Sequence, residues 1–210
     1  MKHFEYVTKE QARPYREVFR GIIQNLQKNI KGDFTFQYKF IGSSSRNMIT
    51  FDPTTNIGFD FDINLEMNYT SDDFTAEELR TTIFNQLQQF AKKNGYKIEN
   101  GTRVITLKKV STKTSKIQFS CDIAVVNNYT DDEGYERQEY IRFNKNHTTY
   151  TWEQQTSPYD LDYMIDAIKE NDMWQDVRVL YLYKKNTNTD IHKKSRSLYA
   201  ETIKEIYDLL

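Results

Sequence analysis

The sequence predicts an α+β fold: a mixed β-sheet packed with helices, followed by a small C-terminal helical cap. Three observations carry this reading. Runs at Phe34–Ile41, Gly58–Met67 and Lys116–Val126 alternate apolar and polar residues, the period of two that sends successive side chains to opposite faces of a strand. Stretches at Pro14–Lys31 and Thr75–Gly95 repeat apolar residues at three-and-four spacing instead, as a helix with one buried face does. From Ser157 onward the pattern is helical, with no further strand signal.

Taken in order, the first helix spans Pro14 to Lys31 and turns Tyr15, Val18, Phe19, Ile22, Ile23, Leu26 and Ile30 inward, with Gly32 as its stop. Two strands follow. Thr75-Ala-Glu-Glu78 then reads as a capping box for a helix carrying Leu79, Ile83, Phe84, Leu87 and Phe90 inward and ending near Gly95. Arg103–Leu107 and the run around Asp122 are the next strands. A turn at Asp131-Asp-Glu-Gly134 leads to strands at Gln138–Asn144 and Thr148–Gln154, and such turns favour antiparallel pairing, so the Asp122 strand belongs to a mixed sheet. Helices at Tyr159–Glu170, Trp174–Lys185 and Ser195–Leu210 complete the chain. The division expected is a core over 1–155 and a helical region over 156–210.

The 210 residues suffice for one substantial core, and 7 Gly and 3 Pro beside 15 Tyr and 13 Phe describe a folded chain. With 29 Lys+Arg against 30 Asp+Glu the net charge is −1, so the whole sequence exerts no long-range pull on nucleic acid, although a local basic patch still can. The single cysteine, Cys121, excludes an intramolecular disulfide framework and fits a reducing compartment. No apolar leader core or membrane-length segment is present, which together predict a cytoplasmic protein without a membrane partner.

The chemistry-bearing residues are acids on strands. Asp60 and Asp62 project from one face of their strand, about 7 Å apart, with Asn64 and Glu66 beside them, while Phe59, Phe61, Ile63 and Leu65 bury the other. Acids so close repel unless paired or bound to a cation. Asp122 sits in an otherwise apolar strand and needs a partner, either a lysine or arginine or a metal. Three carboxylate donors suit a hard divalent ion, Mg²⁺ or Mn²⁺, that takes further ligands from substrate phosphates. Upstream, the chain breaks at Gly42 into Ser43-Ser44-Ser45-Arg46; a short helix there offers backbone N–H groups and a hydroxyl to an anion, and Gly42 permits its close approach. Ser43 serves equally as a helix cap.

Ile41-Gly42-Ser43, then Asp60-Phe61-Asp62-Ile63, then Cys121-Asp122-Ile123 resembles the motif order of the nucleotidyltransferases of the DNA polymerase beta superfamily, including the template-independent enzymes related to oligoadenylate and cyclic-dinucleotide synthases. The resemblance covers roughly residues 33 to 127. The 16-residue spacer Ser44–Phe59 accommodates an inserted loop around Asp52-Pro53-Thr54. The resemblance implies transfer of a nucleotidyl group from a nucleoside triphosphate to an acceptor hydroxyl: Asp60, Asp62 and Asp122 as catalytic metal ligands, and Gly42, Ser43 and Arg46 at the phosphates. The acceptor, whether nucleotide, RNA, protein or small molecule, stays open. In the basic run His192–Arg196, Lys193 and Ser195 either reach the triphosphate or form a solvated helix start. The reading from another class is a non-catalytic nucleotide-binding or protein-interaction module on the same fold.

Overall fold

The computed structural model describes residues 2–54, 59–68, 74–113, 115–155 and 161–210. In chain order the elements are β1 (Glu5–Tyr6), α1 (Lys9–Ile30), β2 (Phe36–Ile41), α2 (Gly42–Ser45), β3 (Thr50–Phe51), β4 (Phe59–Met67), α3 (Ala76–Asn94), β5 (Lys97–Asn100), β6 (Ile105–Val110), β7 (Ile117–Thr130), β8 (Glu136–Asn144), β9 (Thr149–Gln154), α4 (Leu161–Glu170), α5 (Trp174–Thr187) and α6 (Ser195–Tyr207). The expected α+β class with a mixed sheet is the one found. Gly58, at the head of the second predicted strand, and Ser157 and Tyr159, at the expected entry to the helical region, lie outside the described residues.

The chain forms two compact units. One comprises Val7–Ile49 and Asn56–Gln155, and the other Met1–Tyr6, Thr50–Thr55 and Thr156–Leu210. The larger holds a seven-stranded sheet in the order β2-β4-β7-β6-β5, with β8 continuing from β7 and β9 from β8. Only β4 and β7 run parallel; every other pairing is antiparallel. β7 is long enough, at 14 residues, to pair first with β6 and then, from Val126 onward, with β8. The period-two pattern does what it predicts: Phe61, Ile63 and Leu65 of β4 and Cys121, Ile123 and Val125 of β7 are fully buried, leaving the alternate positions to the other face. Phe19 of α1 packs on both Phe61 and Phe119, at ring separations of 5.5 Å, so α1 covers the apolar face.

Three details differ from expectation. α1 begins at Lys9, not Pro14, because Thr8 and Gln11 form a reciprocal capping box that starts the helix earlier and leaves Pro14 inside it. Val18 of that helix is 41% exposed, outside the buried stripe of Phe19, Ile22, Ile23, Leu26 and Ile30. β6 runs from Ile105 to Val110, two residues later than Arg103, and its partner β5 lacks an apolar run of its own. α3, by contrast, starts at the Thr75–Glu78 capping box and ends at Gly95 in the left-handed conformation that favours glycine (φ +66°).

In the smaller unit β1 and β3 form a two-stranded ladder beside α4, α5 and α6. The residues expected to form an inserted loop take part in this unit: Asp52 Oδ1 accepts from the backbone N–H and hydroxyl of Thr54, and its Oδ2 from the N–H of His3. Asn186 closes the other side of the ladder, its carboxamide bonding both backbone groups of Phe4. Among the described residues no helix is long and apolar enough to cross a membrane.

Candidate active site

The parallel pairing of β4 with β7 sets Asp62 directly beside Asp122 and Asp60 beside Ser120. Cross-strand partners share a face. All three acids therefore stand on the polar face of the sheet, opposite Phe61 and Cys121. On the other side of β4, antiparallel β2 pairs its last residue, Ile41, with Asp62, so the chain turns at Gly42 beside that carboxylate. Gly42 adopts φ +63°, and a Cβ there would stand 2.4 Å from Asp62 Oδ2; no residue with a side chain fits without moving Asp62. The following turn is self-stitched: Ser44 Oγ donates to the Ile41 carbonyl and Ser45 Oγ to the Gly42 carbonyl, both at 2.9 Å, while the Ser43 carbonyl accepts from the Met48 N–H. Arg16 of α1 lies over the Phe40 ring and donates to the Ser44 carbonyl, supporting the turn from behind.

Each acid is held differently. Burial, followed by the charges of Asp60 and Asp122, pushes the Asp62 carboxyl up to about 7, against a smaller opposing pull from Arg46. Arg46 thus acts electrostatically on Asp62. Burial also raises Asp122, countered by a hydrogen bond from the Thr106 hydroxyl (2.6 Å to Oδ1) and by the charge of Lys108. The partner of Asp122 is thus a hydroxyl across the sheet, with a lysine acting at longer range. Asp60 accepts a 2.8 Å hydrogen bond from Ser120 Oγ. Thr106, Ser120 and Lys108 were not singled out from sequence. Each lies at the cross-strand position that register creates, and a strand pattern alone does not give register.

Lys193 and Ser195 belong to the helical unit. Lys193 pairs with Glu201 at 2.7 Å, and Ser195 is the first residue of α6. Tyr150 stacks on Phe143 (4.7 Å between centroids).

Among the described residues no group of three His, Cys, Asp or Glu side chains is arranged as a ready metal cage. The acids nonetheless fit a hard divalent ion. Magnesium is usually bound through one or two carboxylates plus substrate phosphates, not by an all-protein cage, and a buried carboxyl raised by two like charges gains most from a cation.

No family model matches the sequence, and no curated protein is significantly similar to it. Solved structures are similar in fold. The STING-associated CdnE c-di-GMP synthase of Capnocytophaga granulosa aligns over 95% of this chain with 18% identity and a TM-score of 0.62. The CD-NTase CdnG of Bradyrhizobium diazoefficiens, solved with GTP, aligns over 95% with 13% identity and a TM-score of 0.63. DncV of Vibrio cholerae, in its GTP-bound form, aligns over 84% with 16% identity and a TM-score of 0.60. This chain spans 60%, 66% and 46% of their respective lengths. At such identities the likeness speaks for the fold alone, and it is the fold that the resemblance of the Gly42-Ser43, Asp60-x-Asp62 and Asp122 order implies: the chain shares the α+β fold of these CD-NTase structures.

Proposed function

We propose that this chain transfers a nucleotidyl group from a nucleoside triphosphate to an acceptor hydroxyl and releases pyrophosphate. The observation that carries the reading is the row Ile41–Asp62–Asp122 across three neighbouring strands, with Gly42 so close to Asp62 that only a glycine fits. Phosphoryl-type transfer asks little covalent chemistry of a protein. It asks for placement and for charge where the transferring group passes.

The acceptor oxygen bonds to the α-phosphorus as the bond to the α–β bridging oxygen breaks, and the pyrophosphate leaves opposite the incoming oxygen. A bound Mg²⁺ or Mn²⁺ would neutralise phosphate charge and make the acceptor hydroxyl more acidic. Asp60 and Asp62 would hold the ions, and Ser120 orients the Asp60 carboxylate through its 2.8 Å hydrogen bond. Asp122, oriented by Thr106, takes the acceptor side. Gly42 and Ser43 let the β- and γ-phosphates lie against the backbone, and Arg46 adds positive charge.

The test is incubation of the purified protein with Mg²⁺ or Mn²⁺ and each labelled nucleoside triphosphate, with and without candidate acceptors, following pyrophosphate release. The wild-type protein is expected to release it and Asp62→Asn to lose that activity by a factor of at least about 10³, the scale on which removing an electrostatic stabiliser acts. Unchanged release by Asp62→Asn overturns the reading.

A further inference from the structure

We infer that the acceptor is the end of a single-stranded nucleic acid, laid across β6 and β5 on a file of lysines that leads to Asp60. The inference rests on the transfer reading above and names its acceptor.

The charge of the molecule is unevenly placed. Residues 92–116 contain eight Lys or Arg and one acid, Glu99, a net +7 in a chain whose total is −1, which leaves −8 on the remainder. Sheet register turns part of that charge into a line. Lys97 of β5 pairs with Lys108 of β6, Lys108 with Ser120 of β7, and Ser120 with Asp60 of β4, so four adjacent strands each contribute one residue to a single row on the polar face. At about 4.8 Å per strand the row is about 14 Å long, more than one phosphate group occupies. Beyond it the β6–β7 connection adds Lys113 and Lys116, both exposed. Lys109 is not available, because its ammonium donates to the carbonyl of Asn94 at 2.8 Å and lies over the Tyr96 ring.

Direction favours an acceptor over a second triphosphate contact. Gly42 lies on the β2 side of Asp62 and the lysines on the β7–β6–β5 side, whereas in-line displacement requires the incoming oxygen and the leaving pyrophosphate to lie on opposite sides of the α-phosphorus. A phosphodiester chain entering over Lys97 and Lys108 brings its terminal hydroxyl towards Asp122 from the required side. Its oxygen bonds to the α-phosphorus, its proton goes to solvent, pyrophosphate departs, and the chain is one nucleotide longer. Lys108 does pair with Glu99 at 3.3 Å, but both groups are substantially exposed, and solvent screening makes such a pair easy for a phosphate to displace. A membrane is the poorer match: among the described residues no large exposed hydrophobic side chain lies within 92–116, while surface-bound proteins combine basic with apolar anchors.

The test uses the full chain and a fluorescent 12-nucleotide single-stranded RNA of mixed sequence, with binding followed by anisotropy against salt and extension followed after addition of Mg²⁺ and nucleoside triphosphates. Wild-type protein is expected to bind and extend the RNA, with affinity falling as salt rises at a logarithmic slope of about −0.7 per phosphate engaged. Lys97→Gln/Lys108→Gln should weaken binding at least about tenfold and flatten the slope by about 1.4, whereas Lys145→Glu, an exposed charge change elsewhere, should do neither. Thermal melts show whether each variant is folded, and single Lys97→Gln, at an exposed edge position, carries the test if the double variant is not. Equal RNA binding by wild type and folded lysine variants overturns the proposal, as does stronger binding to phosphatidylserine vesicles than to RNA. Protein stabilised by a nucleoside triphosphate yet indifferent to RNA overturns the acceptor alone. RNA binding that depends on the lysines, without triphosphate stabilisation or pyrophosphate release, supports the lysine surface and overturns the transferase reading.

Discussion

At neutral pH the Asp62 carboxyl is midway through its titration, and the sign of its effect on stability follows. In the unfolded chain it ionises near its ordinary value of 3.8, whereas in the fold burial and the charges of Asp60 and Asp122 hold it at about 7. Between those values the folded state carries the extra proton, so without metal this group's stabilising contribution is present in acid and is lost as pH rises towards 7, at up to about 1.4 kcal/mol per pH unit. Asp62→Asn removes the penalty. It should be more stable than wild type at pH 8 in chelator, by on the order of a few kcal/mol, and lose that advantage near pH 4; urea unfolding at the two pH values measures it. A stability difference independent of pH would mean that Asp62 acts through packing instead of charge. The location of this carboxyl was readable from the alternation in Phe59–Leu65. The hydroxyls holding its neighbours were not, since Thr106 and Ser120 acquire their roles from strands 16 and 60 residues away.

On the scale of elements, Arg80 decides how α3 meets the sheet. It is fully buried, and its guanidinium donates to Asn100 Oδ1 at 2.9 and 3.1 Å and to the carbonyls of Gly101 (3.0 Å) and Arg103 (3.1 Å), tying the helix to the connection between β5 and β6. No carboxylate is among these acceptors, and burial lowers its pKa to about 10. Arg80→Met should therefore leave carbonyls unsatisfied and cost about 3 kcal/mol, measured as a lower urea midpoint at unchanged slope. A cost under about 0.5 kcal/mol would show that water replaces the guanidinium freely. The helix itself was legible because both its ends carry local signals, the Thr75–Glu78 box and Gly95. β5 was not, because Lys97–Asn100 is four residues at a sheet edge with Ile98 as its one large apolar side chain, and its pairing with β6 supplies what its sequence lacks. Likewise Pro14 marks a helix start by its fixed φ, but Thr8 and Gln11 provide a stronger one five residues earlier.

For the molecule as a whole, the transfer reading makes ligand binding a stability measurement. A nucleoside triphosphate with Mg²⁺ that binds the folded chain and not the unfolded one must raise its melting temperature, by about 2.7 kcal/mol of stability when the ligand reaches 100 times its dissociation constant. The gain should be larger for triphosphate than for monophosphate, because the β- and γ-phosphates supply the contacts to the ions and to the backbone at Gly42 and Ser43. It should fall in chelator and in Asp60→Ala, which removes the carboxylate that Ser120 orients. It should also fall with salt less steeply than RNA binding does, since Asp62 and Asp122, partly enclosed in the fold, are screened less than lysines on an open sheet face. Stabilisation that is equal for mono- and triphosphate and indifferent to chelator would assign the ligand to a base-recognition site without metal, and the fold would then serve a nucleotide-binding module that performs no transfer.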